Sequence, residues 1–210
     1  LLFLILQPDI GQTLLISFVW LSLIFVSGIN LYLLNFLIFF SLSILTCLIL
    51  YLPKFSYIKY RIVNFFDVTS KGNYQSQKAT EAIIDGGFFG KGIGEGTLNT
   101  RVPEAHTDYV ISVISEEFGV LLILFILLLF FLLIFRVFKK IPFEKNNSNK
   151  LVLIGSILLI ILQVLIHIGV NIRLLPTTGM TLPFLSYGGS SILSSSILAG
   201  LILNFTKRKI

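Results

Sequence analysis

Three stretches of the chain hold residues whose types and spacing could do chemistry. In PEAHTD, residues 103–108, Glu104, His106 and Asp108 alternate. Extended backbone puts all three on one face, and a helix puts Glu104 and Asp108 on one face. Such a group suits proton transfer, because a carboxylate within hydrogen-bond reach of a hydroxyl acts as a general base. The plainer reading is structural: Thr107 or Asp108 caps the helix that follows, and His106 is a solvated loop residue. A metal site is the weaker alternative, since the spacing matches no established zinc pattern. Glu116 follows Asp108 by eight residues, about 12 Å along a helix, with Glu117 beside it. Adjacent carboxylates at the edge of a long uncharged run are costly unless water or cations reach them. They imply a hydrated, acid-lined cavity, or else snorkelling to headgroups or pairing with Lys or Arg.

The second stretch is GGFFGKGIGEG, residues 86–96. It is not a phosphate loop, because Asp85 stands five before Gly90 and Lys91 is followed by Gly92 rather than Ser or Thr. No βαβ unit can surround it, so a dinucleotide fingerprint also fails. Glycine at this density leaves either a flexible or re-entrant loop or a cradle in which backbone N–H groups approach a diphosphate or a sugar. The third stretch, LLPTTGMTLPFLSYGGSS at residues 174–191, has two prolines and three glycines. Broken backbone of this kind is tolerated at membrane depth only where protein or a cavity surrounds it. Its small residues Gly188, Gly189, Ser190 and Ser191 equally suit close helix packing.

The elements that must position these residues are membrane spans. The chain of 210 residues is 55% hydrophobic and 12% charged, against about 25% charged in ordinary soluble domains, and its mean hydropathy is +0.94. A bilayer core about 30 Å thick takes roughly 20 apolar helical residues. Runs of that kind occupy about 10–29, 31–52, 118–135 with a start near Tyr109, 151–170 and 181–205. Residues 1–6 look like the tail of a severed helix ended by Gln7-Pro8-Asp9. The expected architecture is therefore all-α: a polytopic helix bundle of about five full spans plus a remnant, forming one integral membrane domain over 1–210. Residues 53–107 form one long hydrophilic loop, too long for a mere connector. The chain reads as the C-terminal portion of a longer membrane protein.

The net charge of +6 does not indicate nucleic acid, because the basic residues sit between apolar runs. Residues 136–150 carry five Lys/Arg and one acid, and the tail carries Lys207, Arg208 and Lys209, so both are expected in the cytoplasm. The 53–107 loop then lies outside. The single cysteine, Cys47, excludes an intramolecular disulfide and a cysteine metal site.

Four stretches together resemble the SEDS family of bacterial cell-wall polymerases: LQPDIG at 6–11, residues 87–96, PEAHTDYVISVISEEFG at 103–119, and residues 174–191. They run through nearly the whole chain in family order, and the last two are the most specific. Thr181 before Leu182-Pro183 resembles the cell-division branch, since elongation members tend to have proline there.

The resemblance implies a peptidoglycan glycosyltransferase that polymerises lipid II into glycan strands at the septum during cell division. The family's essential aspartate falls on Asp108, with Glu104 and His106 in the same motif. Arg61 in RIVNFFD resembles an arginine before an F-x-D-P element, although Val68 follows Asp67 here. Many relatives have lysine at Thr178 and asparagine at His167. The diphosphate charge must then be met by another cation such as Lys91, Arg101 or Arg173. Glu116, Glu117, Thr178, Ser186, Tyr187, Gly188, Gly189 and Ser190 complete the expected supporting and substrate-binding set.

No organic cofactor is implied, and a divalent cation, Mg or Mn, would serve the leaving diphosphate. The implied partners are lipid II, the growing glycan strand, a class B penicillin-binding transpeptidase and other division proteins, in the bacterial inner membrane with the C-terminus cytoplasmic. Two alternatives stand beside the enzyme: a flippase for a lipid-linked oligosaccharide, and a truncated, non-catalytic division component. Acids at the membrane boundary rather than mid-span favour surface chemistry over passage.

Overall fold

The computed structural model describes residues 4, 7, 9–51, 56–66, 74–102 and 105–207, and every regular element among them is helical. They fall into two compact units, Leu1–Gly72 and Asn73–Ile210. The first contains α1 (Ile10–Val26), α2 (Leu31–Tyr51) and α3 (Ser56–Phe66). Asp9 starts α1 by accepting a hydrogen bond from the Gln12 N–H at 3.0 Å, an N-cap that satisfies one of the helix's orphan donors. Gly28, at φ +88°, makes the tight turn to α2. Both helices are apolar all round and expose Phe18, Trp20, Phe36 and Phe39, as suits a lipid environment. Their polar exceptions are internally satisfied: the hydroxyls of Ser17, Ser22 and Thr46 donate to carbonyls one turn back.

The second unit contains α4 (Tyr74–Gly86), α5 (Leu98–Arg101), α6 (Ala105–Asp108), α7 (Val110–Phe118), α8 (Val120–Lys140), α9 (Asn147–Asn171) and α10 (Gly189–Thr206). The helices α8, α9 and α10 are long and apolar enough to cross a membrane. With the apolar α1 and α2 they stand at the five expected spans. Two boundaries differ from expectation. The third span does not begin near Tyr109, because Gly119, at φ +83°, breaks the helix into α7 and α8. The fifth does not begin at 181, because residues 176–188 are held in extended and turn conformations and α10 starts only at Gly189.

The long hydrophilic segment is also built: it supplies α3, α4, α5 and α6. Helix α4 is mostly polar and buries a stripe of small residues, Ser76, Ala79, Ala82 and Gly86. Small side chains let two helix backbones approach closely, and α4 uses them against α7. A Cβ placed on Gly86 would lie 2.0 Å from the Ser115 carbonyl oxygen, so only glycine fits. Ala79, Ala82, Leu98, Val102, Ala105, Tyr109 and Val170 form the apolar cluster that seats α4, α5 and α6 beside the end of α9. A second cluster, with Ile111, Phe130, Leu153, Ile157, Ile160, Leu182 and Ile202, packs α7, α8, α9 and α10 together. Between spans in lipid such contacts act by close packing, since lipid tails are as apolar as the side chains.

Candidate active site

The site is assembled where α6, the end of α9 and the 176–188 segment meet. Asn171, the last residue of α9, is fully buried and its side-chain amide uses its whole hydrogen-bonding capacity. Oδ1 accepts from the Ser112 backbone N–H at 3.2 Å and from the Ser112 hydroxyl at 2.7 Å. Nδ2 donates to the Asp108 carbonyl at 3.2 Å and to the His167 carbonyl at 2.8 Å. The reverse amide orientation would face Nδ2 to the Ser112 N–H, donor against donor, so the contacts define it. One side chain thereby fixes the turn carrying Asp108 to the first turn of α7 and to α9.

The 176–188 segment closes on the same turn from the other side. Ser186 donates its hydroxyl to the Thr107 carbonyl at 2.7 Å and accepts the Leu182 N–H at 2.8 Å. The Tyr187 N–H donates to the His106 carbonyl at 3.2 Å, and the two rings meet edge-on with centroids 5.7 Å apart. His167 Nδ1 lies 2.9 Å from the Met180 carbonyl, and because a carbonyl only accepts, Nδ1 carries the proton. That bond holds the segment so that Gly179 faces the catalytic candidate: a Cβ on Gly179 would come 3.9 Å from Asp108 Oδ2. Thr181 donates to the Ser191 hydroxyl at 2.9 Å, linking the segment to the first turn of α10.

Asp108 is half-buried and His106 and Tyr187 are exposed, so this face presents a carboxylate, an imidazole and a phenol together. The N-cap position of α7 belongs to Tyr109, whose side chain makes no capping bond. Asp108 is the last residue of α6. Glu104 lies outside the described residues. Thr178 is half-buried beside Gly179, and Gly188, Gly189 and Ser190 form the start of α10. Arg173 adopts φ +58° in the turn where the Leu174 and Leu175 N–H groups cap the Gly169 carbonyl. Arg101 is exposed at the end of α5, and Arg61 lies on α3 in the other unit. Among the described residues no group of three His, Cys, Asp or Glu side chains is arranged to hold a metal.

A second cluster favours, for Glu116, pairing with a cation over the acid-lined cavity. Glu116 is 1% exposed, and its carboxylate accepts from the Thr97 N–H (3.0 Å), the Thr97 hydroxyl (3.1 Å), the Leu98 N–H (2.9 Å) and Lys91 Nζ (3.1 Å). It is the cap of α5, supplied from a distant helix, since Thr97 provides no side-chain cap of its own. Burial pushes the Glu116 carboxyl upward, but those donors outweigh it and hold it below its ordinary value of 4.5. Lys91, bonded to Glu116 and to Asp85 at 3.2 Å, is held above 10.5. Its charge is balanced by these two carboxylates, which corrects the expectation that it is a spare cation for diphosphate. Glu117 passes Gly96, where a Cβ would lie 3.1 Å from its Cγ.

The glycine stretch has defined backbone partners. It docks on the break between α7 and α8 and exchanges backbone hydrogen bonds with both ends. The Lys91 and Gly92 N–H groups donate to the Glu116 and Glu117 carbonyls at 2.8 and 3.0 Å. The Val120 and Leu121 N–H groups donate to the Gly87 and Phe88 carbonyls at 2.9 and 3.4 Å. Helix ends leave such groups without intrahelical partners, and the loop supplies them. Sequence reasoning missed Asn171 and Ser112 altogether; the available signal was a polar residue ending a long apolar run.

The family model FtsW/RodA/SpoVE, described as cell cycle protein, matches residues 1–209. A probable peptidoglycan glycosyltransferase FtsW of Caulobacter vibrioides is 33% identical over 98% of this chain and 52% of its own length. Its namesake from Francisella salina is 37% identical over 95% and 51%. The chain spans about half the length of the curated relatives it matches. A solved structure of a peptidoglycan synthase complex, described in terms of coordinated polymerization and crosslinking, aligns with a TM-score of 0.74 at 30% identity, over 97% of this chain and 57% of that one.

Proposed function

The chain belongs to the FtsW/RodA/SpoVE family, a multi-pass membrane protein, and we propose that it carries the catalytic half of a peptidoglycan glycosyltransferase that polymerises lipid II during cell division. The observation carrying this reading is the placement of Asp108. Its turn is fastened by Asn171 from one side and by Ser186 and Tyr187 from the other, and its half-buried carboxylate faces Gly179, where a ligand can approach closely.

In the proposed reaction the acceptor sugar's 4-hydroxyl attacks C1 of the donor. The new C1–O bond forms as the bond from C1 to the diphosphate oxygen breaks, and the electron pair leaves on the polyprenyl diphosphate. Asp108 takes the hydroxyl proton as general base. Diphosphate is a good leaving group, so cationic stabilisation of its charge matters more than a second carboxylic acid. Arg101 and Arg173 are the candidates within this unit, with Thr178 and the start of α10, Gly188 to Ser190, as further contacts. Tyr187 and His106 would position sugar. Glu116 and Lys91 hold the scaffold. A class B penicillin-binding transpeptidase is the proposed partner, at the septum, with the Asp108 face outside the cytoplasm.

The test uses the full-length protein with its transpeptidase and lipid II, with and without Mg or Mn. Asp108→Asn keeps size and should leave expression and complex formation intact while cutting glycan synthesis by about 10²–10⁴, the usual worth of a general base. Near-normal polymerisation by the Asn variant removes Asp108 as the base. Absence of any glycan product from the unaltered protein, with lipid II transport across vesicles instead, favours the flippase.

A further inference from the structure

Beyond that reading, and independent of it, the glycine loop has a second surface. Phe88 and Phe89 are 73% and 83% exposed, and Ile84 and Ile93 beside them are 72% and 79% exposed. Large apolar side chains rarely gather in the open on a polar segment without a partner. The height of this loop relative to the bilayer follows from its backbone bonds. The uncharged part of α8, residues 120–135, is about 24 Å long, most of the hydrocarbon thickness of about 30 Å. Its first residues therefore sit at the hydrocarbon boundary. The Gly87 and Phe88 carbonyls are bonded to the N–H groups of Val120 and Leu121, so Phe88 and Phe89 are held at that same boundary.

We propose that residues 86–96 form a membrane-interface anchor, with Phe88 and Phe89 inserted between lipid headgroups and upper acyl chains beside the start of α8. Two further observations fit insertion. Part of the loop's backbone is already hydrogen-bonded, which lowers the cost of meeting lipid: the N–H groups of Gly87, Gly90, Lys91 and Gly92 and the carbonyls of Gly87 and Phe88 have backbone partners. The one cation of the loop, Lys91, is paired with Asp85 and Glu116. Leu121, Leu124 and Phe125 on the first turns of α8 are likewise exposed, so the loop continues a lipid-facing surface. Through Glu116 the same loop is locked to α5 and α7. The anchor thereby sets the height of the Asp108 turn above the bilayer.

The experiment exploits the chain's single tryptophan. Trp20→Phe removes it, and Phe89→Trp or Phe88→Trp, made separately, puts a probe on the loop of the chain reconstituted in phosphatidylcholine nanodiscs. The expected result is blue-shifted emission that is quenched by lipid brominated on the upper acyl chain and spared by acrylamide in the water. Two variants are read, each checked for unchanged helical circular dichroism, so that one misfolded protein does not decide. Quenching by acrylamide without an effect of bromine overturns the proposal. Shielding from both also overturns it, because protein rather than lipid would then cover the loop.

Discussion

Asn171 donates its side-chain amide to the Asp108 carbonyl at 3.2 Å while its oxygen holds Ser112 at 2.7 Å. The end of one membrane span thus governs the position of a carboxylate that lies before another.

This contact separates positioning from mere stability. Asn171→Ala removes the side-chain partner of the Ser112 N–H and hydroxyl in a buried place, at about 1–3 kcal/mol for an unsatisfied group, and should lower the unfolding temperature in detergent. Asn171→Asp keeps the acceptor but puts a negative charge beside the Asp108 turn. A like charge disfavours ionisation, so the acid limb of the polymerisation rate should move to higher pH in the Asp variant and stay in place in the Ala variant. An unmoved limb in both would show that Asn171 acts on the fold alone.

The Glu116 cluster should give the protein a pH dependence on the acid side. Its carboxyl is held below 4.5 in the folded state, so its contribution is complete above 4.5 and is lost as pH falls through the lowered value. Glu116→Gln cannot accept from both Thr97 and Leu98 without facing one of them with a donor. The gap in unfolding temperature between the two proteins should be largest near neutral pH and shrink as pH falls below the ordinary carboxyl range and the native carboxyl protonates. A constant gap down to strong acid would contradict this.

Glycines of the loop should differ by what surrounds them. Gly94 has φ +80° but nothing within 4 Å of a built Cβ, so Gly94→Ala should cost only the left-handed backbone, about 1–2 kcal/mol. Gly90 has φ +78° and a Cβ there would lie 2.2 Å from the Glu117 carbonyl oxygen. Gly90→Ala must push the loop off the α7–α8 break and should be markedly more destabilising. Equal unfolding temperatures for the two variants would argue against tight docking.

Topology is testable by single cysteines in a Cys47→Ser background. Glu95→Cys, on the loop, should react with an impermeant thiol reagent in intact cells, and Asn147→Cys, at the start of α9, should be protected. The reverse pattern would place the Asp108 face in the cytoplasm, where an extracytoplasmic polymerase could not work.

Hydropathy alone made the spans legible, because a bilayer demands long apolar runs and those runs are local in sequence. The turn at Gly28 is likewise local, and the motif around Asp108 marked the site through its resemblance to a family. What sequence could not decide was everything that depends on a partner distant along the chain. Glu116 reads as a costly acid at a membrane edge until Thr97, Leu98 and Lys91 are seen around it. Lys91 reads as a spare cation until Asp85 and Glu116 balance it. The glycines of 86–96 read as a flexible or re-entrant loop or as a ligand cradle, whereas the fold uses two of them for close approach to its own backbone, because a Cβ at Gly86 or Gly90 would strike backbone. Asn171 carried no motif at all. Its role exists only because helix packing brings the end of α9 against the Asp108 turn, in a buried place where every polar atom must find a partner.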